Sequence, residues 1–247
     1  MMAKKPAKTR ANSTQLAKSE LPEGLVSLAP VTYPVADTAV TALQVWHNED
    51  RKPSGDGPWN DEADKVAWLD EATGFGAILL RQENGTLSGY VGVGPDHPLF
   101  GFTADAVPVG ISNTVHGGVT YGKECEVNRF EQEEYGDPRT ERYTVCHVTY
   151  TKVVRNYRTV QSTEDEFEHE DLWWLGFDTD HLGDYIPKGI NRNNRKEDVY
   201  RDQAFVYGQI VEFAKRLKAV SDANPGVGDD AATPLQLAPP AKQGGDD

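Results

Sequence analysis

Apolar and polar positions change period several times along this 247-residue chain. In VYRDQAFVYGQIVEFAKRLKAV, residues 199–220, Val206, Ile210, Phe213, Leu217 and Val220 recur every three or four positions, the period of one helix face, with Asp198 available as a cap. A second helix is predicted from Asn60 as N-cap, with acidic residues in its first turn, Ala63, Val66, Ala67 and Asp70 on successive turns, and Gly74 at its end. Residues 75–81 and 87–93 are apolar runs joined across Glu83-Asn84-Gly85, and Asn-Gly between such runs is the strongest short hairpin signal. Strand signals recur at 115–121, at 142–150, where RYTVCHVTY alternates, and at 171–177 (DLWWLGF). Between the hairpin and the third strand, Pro95 and Pro98 bracket His97 in a loop and predict a solvent-facing imidazole. The pattern predicts an α+β domain: a mainly antiparallel sheet with an N-terminal helix and a long C-terminal helix packed on it.

Both ends break this patterning. Residues 1–23 carry Lys4, Lys5, Lys8, Arg10 and Lys18 with few apolar side chains, and too little apolar surface can be buried there to offset ordering entropy. They are expected to form a disordered basic arm. Residues 221–247 are dominated by Pro, Gly, Ala and Asp and are expected to form a disordered acidic tail, leaving 24–220 as one domain. The basic excess of the arm nearly cancels the acidic excess of the tail, so almost all of the formal charge of −14 belongs to the body between them. A body this acidic argues against general nucleic-acid binding, which needs clustered Lys and Arg. It is compatible with plain solubility, with cation binding or with charge-based blocking of a basic partner. The chain has neither an apolar run long enough to span a membrane nor the apolar core of a secretory signal at its start, so the expectation is a cytoplasmic protein. Cys125 and Cys146, the two cysteines, are expected to be free thiols in that setting.

Two clusters carry candidate chemistry. In HGGVTYG, His116 precedes Gly117 and Gly118, a pair that a stable protein keeps where φ must be positive or where something approaches the backbone closely. In WWLGFDTDHLGD, an aromatic strand runs into Asp178, Asp180, His181 and Asp184. Like charges this close repel unless a cation, N–H donors or full solvation relieves them. Oxygen and imidazole donors together suit a divalent ion such as zinc, manganese or magnesium, and His116, Asp178, His181 and Asp184 would form the set if the two clusters meet. Gly117 and Gly118 would then leave room for a ligand, with Tyr121 and Trp174 beside it. The plainer alternatives are a tight turn at His116 and a solvated acidic loop at 178–184.

Other residues point less clearly. Cys146 and His147 are neighbours on a strand and face opposite sides, so they cannot pair with each other; Cys146 is either a core residue or the nucleophile of a site shared with His116. His47 and His169 are read as surface residues, and Arg155, Arg158, Arg192 and Arg195 are too scattered to define an anion site.

HGGVTYG, CHV at 146–148, WWLGFDTDHLGD, YRDQAFVYGQ at 200–209 and GYVGVGPDHPLFG at 89–101 together resemble a family of uncharacterised proteins encoded by tailed bacteriophages and prophages. The resemblance runs from about Trp59 to Leu217 and takes in His116, Gly117, Gly118, Tyr121, Trp174, Asp178, His181, Gly183 and Asp184. It implies a phage setting in an infected host cell, and no particular reaction. The chain departs from the family at Thr179, where relatives often carry cysteine, so neither a nucleophile nor a thiolate ligand is expected there.

Three functions follow as expectations. The first is a metal-dependent hydrolase of a small, nucleotide-like substrate, with Asp178, Asp184 or His116 as general base. The second is a binding module that sequesters a small host molecule or antagonises host defence without turnover. The third is an acidic module that blocks a host protein partner.

Overall fold

The computed structural model describes residues 30–125, 143–146, 172–189 and 194–225. Seven strands form one antiparallel sheet: β1 Val31–Val35, β2 Thr38–Trp46, β3 Lys65–Leu69, β4 Gly76–Arg81, β5 Leu87–Val93, β6 Tyr121–Glu124 and β7 Trp173–Phe177. Their order across the sheet is β1-β2-β3-β4-β5-β7-β6, so β7 inserts between β5 and β6. The predicted hairpin is β4 and β5. Gln82 N–H donates to Thr86 O at 2.8 Å, and Gly85 takes φ 85°, the left-handed position that closes a short hairpin loop.

The long helix, α2, spans Gln203–Ala223. Val206, Ile210, Phe213, Leu217 and Val220, the five residues of the predicted apolar stripe, are all buried. They pack on one face of the sheet with Val66 and Trp68 of β3, Ala77 and Leu79 of β4, Val91 and Val93 of β5, and Leu175 and Phe177 of β7. Each such side chain contributes about 1.5 to 3 kcal/mol when fully buried. Asp202, and not Asp198, caps the helix by accepting from the Phe205 amide at 2.8 Å. The intervening strand residues Ala67, Ile78, Leu80, Tyr90 and Trp174 point to the other face, where Val145 packs on them.

Three expectations are corrected. The helix predicted from Asn60 to Gly74 is replaced by a single 3-10 turn, Pro58–Asn60, followed by β3. An apolar run as short as Val66 to Leu69 fits either element by period alone, and burial on both faces between β2 and β4 decides for a strand. The strand predicted at 115–121 begins only at Tyr121, because Gly117 and Gly118 take φ 70° and 88° and turn the chain out of the extended region. A short helix, α1 (Val109–Ser112), precedes that turn. The cysteines are paired: the end of β6 and the turn at 143–146 bring Cys125 and Cys146 to a Cα separation of 5.0 Å, and a disulfide joins them. A disulfide-bonded sulfur is no nucleophile, which removes Cys146 from any site with His116.

Residues 143–146 are a turn and not a strand; the remainder of the predicted 142–150 strand, with His147, lies outside the described residues. So do the basic arm, most of the acidic tail, Arg155, Arg158, His169 and Arg192. Among the described residues, no helix is long and apolar enough to cross a membrane.

Candidate functional site

The Gly-Gly turn and the acidic turn after β7 meet. Asp184 is 1% exposed, and three donors converge on its carboxylate. His116 Nε2 lies 2.7 Å from Oδ2, the His181 amide donates to the same oxygen at 3.0 Å, and Arg201 Nε donates to Oδ1 at 2.8 Å. Burial pushes the Asp184 carboxyl up, but the hydrogen bonds from His116, Arg201 and the His181 amide outweigh it and hold the carboxyl below the ordinary carboxylate range. An ionised Asp184 is an acceptor only, so His116 carries a proton on Nε2 and turns Nδ1 away from the carboxylate.

Backbone on three sides sets this geometry. Asp184 pairs in an isolated parallel bridge with Val199, two residues before Arg201 and four before α2 begins. The His116 amide donates to Gln209 Oε1 of α2 at 2.9 Å, which anchors the Gly-Gly turn to the helix. Phe205, on the first turn of α2, touches both functional groups: the His116 ring meets it edge-on at 5.3 Å, and the Arg201 guanidinium lies 4.8 Å from its centroid. Asp184 therefore fixes His116 and Arg201 from behind while Phe205 fixes them from the side.

The glycines serve packing here. A Cβ on Gly117 would stand 1.8 Å from His181 Nε2, so the missing side chain makes room for the second imidazole, whose ring is centred 5.3 Å from that of His116. A Cβ on Gly118 would lie 3.2 Å from Ser112 Oγ of α1, whose hydroxyl accepts from the Val119 amide.

Asp178 does not join this cluster. Its two oxygens accept from Ser88 of β5 and Thr120, each at 2.7 Å, tying the end of β7 to its neighbours. Thr179 is buried and donates its hydroxyl to Leu87 O at 2.6 Å. Asp180 accepts from Asn84 of the hairpin loop at 3.2 Å. Trp174 sits 1% exposed in the cluster on the sheet face opposite α2, and Tyr121 packs edge-on to Tyr90 of that same cluster, so neither lines the His116 turn. Trp173 lies at the far end of β7, donating to Phe102 O. Among the described residues, no group of three or more His, Cys, Asp or Glu side chains is arranged to hold a metal ion.

Arg201 and Gln209 drew no expectation from the sequence although both stand in the YRDQAFVYGQ stretch, because spacing does not mark a lone arginine just ahead of a helix. A second buried cluster, centred on Arg81, has no counterpart among the sequence expectations. Arg81 is fully buried with Nε on Asp64 at 2.5 Å, one Nη on Glu62 at 2.8 Å and the other on Gly85 O and the Tyr200 hydroxyl at 2.9 and 2.8 Å. Glu62 also accepts from the Gln203 amide at the start of α2, 2.9 Å away. Burial opposes the Arg81 charge, but Tyr200, Glu62 and Asp64 hold its pKa above the ordinary arginine value. The guanidinium makes four hydrogen bonds within the protein, so this is a structural clamp between the hairpin and α2.

No family model, curated protein or solved structure matches the chain.

Proposed function

We propose that this protein is a phage-encoded binding module that captures a small anionic molecule of the host cell at His116 and Arg201. The observation that carries the reading is the shared anchor. Asp184 holds His116 through Nε2 and Arg201 through Nε, while among the described residues His116 Nδ1 and both Arg201 Nη groups have no hydrogen-bond partner. Oδ2 of Asp184 is taken by His116 and His181, so the arginine cannot close a two-point pair with the carboxylate and its outer N–H groups stay open. Both side chains are partly exposed, at 21% and 27%, so a solute can reach them. The acidity of the whole body disfavours polyanions and leaves a small ligand of few charges as the fitting partner.

This reading takes precedence over metal-dependent hydrolysis because the positive charge facing Asp184 is a guanidinium, which stands where an ion would have to bind. Turnover remains the second reading on one observation: an imidazole oriented by a carboxylate with its other nitrogen open is the arrangement of a general base.

Thermal unfolding of the full chain, stripped with chelator, against a panel of small phosphates, sulfates and carboxylates tests the proposal. At least one anion should raise the melting temperature of the wild type and leave Arg201→Ala unmoved. If no anion stabilises the wild type, the binding reading fails. If a divalent ion stabilises it, and loses that effect in Asp184→Asn, the metal-dependent hydrolase replaces it.

A further inference from the structure

We propose that the ligand of this site is a phosphate monoester carrying an apolar body, an inference that rests on the small-anion reading above. The head group follows from the open polar atoms. The Arg201 fork presents two N–H-bearing nitrogens in one plane, and His116, which rests against the same Phe205 ring, presents Nδ1. Two coplanar oxygens of a carboxylate can satisfy the fork alone. A tetrahedral phosphate offers a third oxygen out of that plane, and as a P–OH that oxygen can donate to His116 Nδ1, which accepts while Nε2 keeps its proton.

The body follows from an independent feature. Among the described residues few large apolar side chains are left in water, and two of them lie on the segments that carry the site: Leu182 is 76% exposed and Val199 is 50% exposed. Leu182 stands between His181 and Gly183 on the acidic turn, and Val199 on the segment leading to Arg201. Those two segments are joined at the site itself, where the Val199 amide donates to Gly183 O and the Tyr185 amide to Val199 O, each at 2.9 Å. Neither side chain packs in the core clusters, so neither is needed to hold the turn. An inorganic anion would leave both in water; a monoester with an aromatic or aliphatic body would cover them while its phosphate sits on Arg201.

Isothermal titration of the full chain with inorganic phosphate, phenyl phosphate and benzoate separates these requirements. Phenyl phosphate should bind about tenfold tighter than inorganic phosphate, the gain expected from burying apolar surface on one side of the ring. Benzoate should bind more weakly than phenyl phosphate. Leu182→Ser should lose the gain for phenyl phosphate and leave inorganic phosphate unchanged. If phenyl phosphate binds no tighter than inorganic phosphate, or benzoate binds as tightly as phenyl phosphate, this inference is overturned while small-anion capture stands. A gain that survives both Leu182→Ser and Val199→Ser also overturns it, by placing the body elsewhere. If none of the three binds, both this inference and the function it rests on are wrong.

Discussion

Asp184 reverses an argument made from charge alone. Crowded carboxylates read from sequence suggest that removing one relieves repulsion, yet Asp184 is surrounded by His116, the His181 amide and Arg201, all donors. Asp184→Asn would aim an amide N–H at one of those donors and leave it unpaired. The expected loss is about 1 to 3 kcal/mol by denaturant unfolding, together with loss of anion binding. Unchanged stability would mean that the three contacts form only weakly in solution. His97 offers a second test at this scale. It is buried, not solvent-facing: Nδ1 accepts from the Leu99 amide and Nε2 meets Leu217 O, both at 3.0 Å. Burial holds its pKa below the ordinary histidine value, outweighing the carbonyl contact. The unfolded chain therefore binds a proton more readily than the folded one. His97 contributes fully to stability above about pH 6.5, and the contribution falls as the pH drops below that value. Unfolding free energies at pH 7.5 and 5.5 should show a decline in the wild type that is smaller in His97→Gln; equal declines would contradict the burial.

At the scale of elements, α2 and the hairpin were legible because their signals are local. The helix stripe keeps its period over five residues, and Asn84-Gly85 closes its turn without help from elsewhere. Leu217→Ala and Ile210→Ala should each cost roughly 2 to 5 kcal/mol, since both side chains are fully buried between α2 and the sheet. Lys215→Ala should stay within about 0.5 kcal/mol of wild type, its bond to Glu212 being a surface pair. Equal losses at all three positions, measured by chemical unfolding, would contradict the assigned face. The segment around β3 was not legible, because its acidic residues look like a helix's first turn. Glu62 does meet a helix N-terminus, but that of α2, through the Gln203 amide 141 positions along the chain. No local pattern carries a contact of that separation. The same holds for β1 and β2, which drew no expectation, and for the pairing of Cys125 with Cys146, set by the end of β6 and the turn at 143–146.

Taken as a whole molecule, the chain places its site where the end of β7, the Gly-Gly turn and the approach to α2 converge, at one end of the sheet. His116, His181 and Asp184 could be suspected from residue type and clustering. That Asp178 would instead brace β5 through Ser88, and that Arg201 would take the place beside Asp184, depends on strand order and on the bridge to Val199, neither of which leaves a mark in spacing. The chain is acidic at −14, and Arg201 offers open N–H groups beside the open Nδ1 of His116 against that background. Histidine ring nitrogen spectra of the full chain during titration with inorganic phosphate report on anion capture at His116, because they read its Nδ1 and Nε2 separately. A saturable shift at His116 Nδ1 that disappears in Arg201→Ala is expected, while Nε2 keeps the signature of its bond to Asp184. Phosphate that leaves the His116 resonances unmoved, or moves them equally in Arg201→Ala, would contradict it.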